Sequence, residues 1–215
     1  MNMQRVIQIL IVLAATCLVV AAVIGCSPVH AGAIPAEAKS YQRTLIRTSH
    51  AMWGLDAPVA TFAAQIHQES RWRADARSPV GAEGLAQFMP ATSDWFAEMY
   101  PQHLGKRQPY NPGWAMRGLV LYDKWLYARI QAVSPCEKWA MVLSAYNGGL
   151  GWVYRDKKLA SAKGADPLAW FDHVERFNAG RSRSAFSENR GYPRKILLRW
   201  EPLYERAAWG NGVCP

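Results

Sequence analysis

Residues Val6 to Gly25 read VIQILIVLAATCLVVAAVIG, twenty consecutive positions with no charge and a single Gln, preceded by Arg5. No water-soluble fold of ordinary size surrounds such a run with enough apolar partners on every side. About 20 apolar residues are what a helix needs to cross the hydrocarbon core of a bilayer, so the run reads as a targeting segment. Whatever folds as a globular body begins after it. The run ends Val23-Ile24-Gly25-Cys26, which has the form of a bacterial lipobox with Cys26 as the lipidated residue. Val29-His30-Ala31 offers small residues for ordinary signal cleavage before Gly32, and the length also allows an uncleaved signal anchor. All three outcomes put the remainder outside the cytoplasmic membrane, in the periplasm or anchored facing it, and divide the chain at residues 1–31 and 32–215.

Half of the 215 residues are hydrophobic and 19% are charged, which excludes a disordered or low-complexity chain. Beyond the leader there is no internal repeat, charge block or long linker, so one domain is expected. Lys and Arg outnumber Asp and Glu by 25 to 16, and of the basic residues only Arg5 lies in the leader, so the exported body stays basic. That charge suits an anionic polymer without choosing one. No nucleic-acid-binding motif accompanies it, and an exported chain makes nucleic acid an improbable partner.

Of the four cysteines, Cys17 and Cys26 belong to the leader and its edge, leaving Cys136 and Cys214. In an oxidising compartment these two form a natural pair; two free thiols are the alternative. The five His are scattered and no Cys pair has zinc spacing, so neither a metal nor a cofactor is expected.

Helical spacing recurs over Glu37–Met52, Val59–Ser70, Thr92–Tyr100, Trp114–Ala132, Glu137–Tyr146, Pro167–Phe177 and Arg194–Trp209. Ser134-Pro135 and Asp166-Pro167 carry a cap and a proline start, and Pro112 suits a first turn. No segment alternates apolar and polar residues with β-branched enrichment, so the fold class is mainly α.

Four short segments hold the chemistry: Gln68-Glu69-Ser70-Arg71, Gly81-Ala82-Glu83-Gly84-Leu85-Ala86-Gln87-Phe88-Met89-Pro90, Ala145-Tyr146-Asn147-Gly148-Gly149 and Glu188-Asn189-Arg190-Gly191-Tyr192. Glu69 ends a helix whose preceding turns, Ala60 to Ile66, are largely apolar. A weakly solvated carboxyl keeps its proton near neutral pH and can deliver it to a glycosidic oxygen, then serve as base. Tyr146 and Tyr192 offer a flat face for a sugar and a hydroxyl for the carboxyl, while Gln87 and Asn147 are neutral hydrogen-bonding groups. Ser70 either orients the acid, bonds substrate or caps the helix. Arg71, Arg73, Arg77, Arg181, Arg183, Arg190 and Arg194 stand near these motifs, as a groove rim or a solvated basic face.

Taken in order, the four segments resemble the soluble lytic transglycosylase (SLT) catalytic-domain family of the lysozyme-like superfamily, over about residues 46–204. Ala86, Asn189 and Pro193 depart from the residues frequent there, Met, Thr and Val. The resemblance implies a lysozyme-like single globular domain with Glu69 as catalytic residue, and Ser70, Gln87, Phe88, Met89, Tyr146, Asn147 and Tyr192 binding substrate. It implies non-hydrolytic cleavage of the β-1,4 bond between N-acetylmuramic acid and N-acetylglucosamine in peptidoglycan glycan strands. The N-acetyl group then takes the place of the second carboxylate that ordinary glycosidases use. The acids next after Glu69, Asp75 and Glu83, are expected to be solvated or structural. The alternatives are a hydrolytic muramidase of the goose-type lysozyme kind and a non-catalytic peptidoglycan-binding component of an envelope assembly. Further expected partners are the membrane, reached through the N-terminal segment or a lipid on Cys26, and an envelope-spanning secretion or lysis system.

Overall fold

The structure, a computed structural model, describes residues 33–215. The leader, Cys26 and the cleavage position before Gly32 lie outside the described residues. The helices are α1 (Ala38–Met52), α2 (Val59–Ser70), α3 (Pro90–Met99), α4 (Pro101–Leu104), α5 (Pro112–Tyr127), α6 (Pro135–Gly148), α7 (Leu150–Ala162), α8 (Arg183–Arg194) and α9 (Glu201–Arg206). A π-helical stretch, Lys195–Trp200, joins α8 to α9. The only β pairing among the described residues is the isolated bridges Arg77–Glu83 and Glu83–Phe88.

Local sequence accounts for several of these starts. Pro90, Pro101, Pro112 and Pro135 open α3, α4, α5 and α6, where a missing N–H costs nothing. Asn111 and Ser134 cap α5 and α6 by accepting from Trp114 N at 3.0 Å and Glu137 N at 3.3 Å.

The centre of the domain is α2, buried from Val59 to His67 without a polar face. It lies against α9 and the π-helical stretch, with α1 alongside. The helix ends abruptly, because Arg71 and Trp72 both take left-handed backbone angles, φ 53° and 67°. Two such residues cost about 1–3 kcal/mol each. Trp72 offsets much of that: it is 1% exposed, its Nε1 donates to Tyr204 Oη at 2.6 Å and its ring stacks on Tyr41. The turn leaves Glu69 in the last turn of a buried helix, one turn after Gln65.

Cys136 and Cys214 are bonded, with 4.7 Å between their Cα atoms, closing a sequence separation of 78. Loop-closure entropy for that length corresponds to about 4.5 kcal/mol. Buried Glu201 draws the same tail inward: its Oε1 accepts from Val213 N and Cys214 N, while its Oε2 accepts from Thr61 Oγ1 of α2 at 2.5 Å.

Three expectations about elements need correction. Pro167–Phe177 is a series of turns with a short 3-10 segment at Val174–Arg176. There Asp166 accepts from Leu168 N, and Glu137 accepts from Trp170 N and Phe171 N, so side chains take amides a helix would need. Leu150–Ala162 is helical although Gly149 and Gly151 interrupt its pattern at the start. Arg183–Arg194 is helical although it is polar and contains Gly191 and Pro193.

Candidate active site

A cavity of about 270 Å³ opens where the end of α2, the loop 78–89 and the end of α6 meet α8. Its walls include Glu69, Gln87, Phe88, Met89, Tyr146 and Asn147, six of the residues singled out from the motifs. The loop holds its shape through Gly84: at φ +70°, a Cβ there would come within 1.9 Å of the Pro109 carbonyl oxygen. Phe88 is 3% exposed and passes over Gly118 of α5, where a Cβ would meet its ring at 2.9 Å. Phe88, Tyr122 and Tyr146 form one aromatic wall, with centroid separations of 5.1–6.0 Å.

Glu69 keeps only part of its surface open to the cavity, and the protein around its carboxyl pushes the pKa up to about 8. Desolvation is the main cause. The Tyr192 hydrogen bond opposes it and the charge of Glu188 reinforces it. The Tyr192 hydroxyl donates to Glu69 Oε1, so the proton held near neutral pH resides on Oε2. Tyr192 is 5% exposed and lies outside the cavity walls, and of the two roles expected of it the structure shows its hydroxyl on the Glu69 carboxyl. Among the roles expected of Ser70, the structure shows the one at the helix end: it is 2% exposed and its Oγ donates back to the Ile66 carbonyl at 3.3 Å.

The neutral polar groups are oriented by the backbone and by one another. Gln87, at φ 47°, spends its amide N–H groups on the carbonyls of Ala76 and Gly84, at 3.2 and 2.9 Å, leaving Oε1 as its free acceptor. Asn147 Oδ1 accepts from Asn189 Nδ2 at 2.9 Å, leaving its own amide N–H groups free. Asn189 is 1% exposed and also exchanges hydrogen bonds with Ser144 Oγ and the Ser144 carbonyl. Gly148 makes room for it, since a Cβ there would lie 2.7 Å from Asn189 Nδ2. The position that departs from the family's usual Thr is thus the one that aims Asn147. Tyr146 donates to the Ala86 carbonyl at 2.7 Å and not to Glu69.

Two acids to which the sequence reading gave no role come to the site, Glu188 of the fourth motif and Asp123. Glu188 is exposed and lines the cavity. Asp123 of α5 is fully buried, 3.5 Å from Gln65 Nε2 through Oδ1. Its Oδ2 and Gln65 Oε1 both lack partners. Desolvation above all drives the Asp123 pKa well above the usual range, which favours the neutral acid. Its signal was present: Asp123 shares a stripe with buried Leu119 and Leu126, spaced four and three residues away. Glu83, by contrast, is engaged with Arg107 and Tyr110, and Asp75 is exposed away from the cavity walls.

The basic rim divides. Arg71, Arg73, Arg77 and Arg183 are exposed. Arg181 and Arg190 are buried on Asp156, and Arg194 is paired with Glu175, so these three are no free rim. Among the described residues no group of three or more His, Cys, Asp or Glu is arranged to hold a metal ion.

Comparisons with known proteins agree with this geometry. Among curated relatives, the membrane-bound lytic murein transglycosylase F of Vibrio parahaemolyticus is 32% identical over 135 residues, covering 62% of this chain and 24% of the relative. The protein of the same name from Shewanella halifaxensis is 29% identical over 135 residues, again 62% of this chain and 27% of the relative. The chain therefore spans about a quarter of the length of these relatives. The crystal structure of the 70 kDa soluble lytic transglycosylase of Escherichia coli matches with a TM-score of 0.56 at 23% identity, over 80% of this chain and 25% of that one. An inactive mutant of the lytic transglycosylase Slt from Pseudomonas aeruginosa matches with a TM-score of 0.59 at 21% identity, over 82% and 26%. These two likenesses establish a lysozyme-like fold. The model of the transglycosylase SLT domain matches residues 45–168, more than half of the chain, and the chain belongs to that family.

Proposed function

We propose that the protein is a peptidoglycan lytic transglycosylase in which Glu69 acts first as general acid and then as general base. The observation that carries this reading is one carboxyl at a cavity wall, held by Tyr192 through Oε1 and protonated up to about pH 8. Glu69 Oε2 gives its proton to the oxygen between N-acetylmuramic acid and N-acetylglucosamine, and that oxygen leaves with the bonding pair. The acetamido oxygen of the muramic acid attacks the anomeric carbon as the bond breaks, stabilising the charge. The 6-hydroxyl of the same sugar then displaces that oxygen, and the ionised Glu69 accepts the hydroxyl proton. The product is a 1,6-anhydromuramyl end, no water is consumed, and the acid is regenerated. Asn147, a donor, and Gln87, an acceptor, match the C=O and N–H of an acetamido group. The aromatic wall of Phe88, Tyr122 and Tyr146 suits the apolar face of a sugar ring, with Met89 at the lip.

Glu188 favours a second reading, hydrolysis. It is a carboxylate on the same cavity, able in principle to activate water. The family assignment and relatives named for transglycosylation support the first. The site of action we propose is the periplasmic face of the membrane, with residues 1–31 as signal or anchor and 32–215 as the catalytic domain. The apolar run or a lipid on Cys26 would hold it there, and relatives carry the words membrane-bound in their names. A secretion or lysis system that spans the envelope is the class of partner requiring such local cuts. Among the described residues no helix is long and apolar enough to cross a membrane.

Incubating purified sacculi with the protein and with its Glu69→Gln variant tests the assignment. Anhydromuramyl fragments released by the first and absent with the second are expected. Lysis of equal extent by both would overturn it.

A further inference from the structure

Helix α1 is the first element after the leader, and the domain packs against only one side of it. Ala38, Leu45 and Ser49 are buried there, and Tyr41 and Met52 pack on the core beside them. On the opposite side Lys39, Arg43 and Arg47 follow one another at four-residue spacing, all exposed, with exposed Ala51 next in the row. The helix contains no Asp or Glu. Glu37 and Asp56, the acids nearest in sequence, stand beyond its two ends.

These three cations do not hold the domain together. No ion pair among the described residues involves them, whereas Arg107, Arg181, Arg190 and Arg194 are each paired with an acid. None of the three lines the catalytic cavity or the cavity next to it. Like charges four residues apart destabilise a helix slightly, so the row is a small cost that packing does not return. Just past the row stands Leu55, 87% exposed and the most exposed large apolar side chain among the described residues.

Position along the chain selects the partner. Thirteen positions separate Cys26 from Lys39, so even full extension keeps the start of the row within about 45 Å of a lipid on Cys26. An apolar run retained as an anchor and ending at Gly25 sets nearly the same limit. A basic helix face with an apolar residue at its far end matches a headgroup layer, with phosphates at the surface and hydrocarbon beneath. Each Lys or Arg near an anionic bilayer strengthens binding by about fivefold, and three together by on the order of 100-fold at low salt. The aromatic contacts give the direction of the helix. Tyr41 stacks on Trp72, just past the catalytic end of α2, and Trp53 meets Phe62 near the start of α2, so the two helices run antiparallel. A bilayer lying along α1 therefore also lies along α2.

We propose that the face of α1 carrying Lys39, Arg43 and Arg47 lies on anionic phospholipid headgroups and fixes the height and orientation of the cleft above the membrane. The inference rests on the membrane-held site of action proposed above and is independent of the cleavage chemistry.

The test uses the full-length protein reconstituted with vesicles of phosphatidylcholine alone or of phosphatidylcholine mixed with phosphatidylglycerol. Both carry a trace of lipid with a photoactivatable headgroup, and cross-linked peptides are located by mass spectrometry. With phosphatidylglycerol, cross-links should concentrate on residues 39–55 and exceed those in neutral vesicles by about tenfold, an excess that high salt removes. Replacing the three cations together, Lys39→Glu, Arg43→Glu and Arg47→Glu, should erase the excess. The Tm and the cutting of sacculi in detergent should stay at parent values, because the three side chains are exposed and outside the cleft. Equal cross-linking in the two vesicle types would overturn the proposal, as would cross-links centred on another basic face, such as Arg155 and Lys158 of α7, or an excess undiminished in the charge-reversed protein. Protection of Lys39 from acylation by sacculi but not by acidic vesicles would also overturn it and give the face to the wall polymer. Flotation with neutral vesicles reads the anchor separately. Flotation without cross-links on α1 would refute only the proposed face, and cross-links on α1 in acidic vesicles without flotation on neutral ones would refute only the anchor.

Discussion

Replacing Glu69 by Gln is expected to abolish cleavage and to stabilise the fold. The folded chain holds this carboxyl's pKa at about 8, against the usual 4.5, because burial disfavours the ionised form. The native state therefore binds a proton that the unfolded state has released. A group raised in this way contributes its full stability below pH 4.5 and loses it as pH climbs through about 8. Each pH unit between 4.5 and 7 takes away 1.36 kcal/mol, which sets a ceiling of about 3 kcal/mol at pH 7. Solvent at the cavity mouth reduces this to roughly 2 kcal/mol, or about 4–8 °C in Tm for a domain of this size. Gln has the same shape, cannot ionise and still offers Oε1 to Tyr192. Thermal unfolding of both proteins at pH 4.5 and pH 7.5 is the assay. The variant should match the parent at the lower pH and exceed it at the higher one. An equal Tm difference at the two pH values, or a variant less stable at pH 7.5, would refute the reasoning. The expected trade of stability for function is the one that active sites commonly show.

Other consequences are as specific. Tyr192→Phe removes the hydrogen bond that lowers the Glu69 pKa, so the alkaline limb of the pH–rate profile, near pH 8 in the parent, should move upward. In the same variant kcat should fall by about 10- to 100-fold as the carboxyl loses its orientation. Asp123→Asn should gain stability over the parent as pH rises above the usual carboxylate range, because burial raises the native Asp123 pKa and Asn cannot ionise. Urea titrations across that rise in pH would show it, and a variant that loses stability throughout would contradict the neutral-acid assignment. Cys214→Ser should cost about 2–5 kcal/mol in denaturant unfolding, since it opens the Cys136–Cys214 loop and frees the tail that Glu201 holds.

Most of the site was legible because short motifs place chemistry at chain positions that local rules already constrain. The apolar run before Glu69 announces a buried helix. Gly84 and Gly148 stand where a side chain would strike Pro109 or Asn189. Direction and burial were less legible, since they depend on which distant elements meet. Ser70 faces inward because α2 is buried on all sides, and Tyr192 faces Glu69 because α8 crosses the end of α2. Asp123 reads as one polar residue of an amphipathic helix until Gln65 of another helix is set against it. Arg181 and Arg190 look like surface cations in a basic stretch, and only the packing of α7 onto the 178–190 region reveals Asp156 between them. The missed helices α7 and α8 fail local rules, with glycines at one start and a glycine and a proline inside the other. Tertiary contacts of Val153, Ala160, Asn189 and Tyr192 hold them.

The central claim is that the substrate's own 6-hydroxyl, and not water, completes the reaction begun by Glu69. Digestion of sacculi in water enriched in oxygen-18, followed by mass spectrometry of the released fragments, tests it directly. The account predicts muramyl ends one water lighter than reducing ends and free of the heavy isotope. Reducing muramyl ends carrying oxygen-18 would contradict it and assign the second step to water, with Glu188 as the nearest group able to activate it.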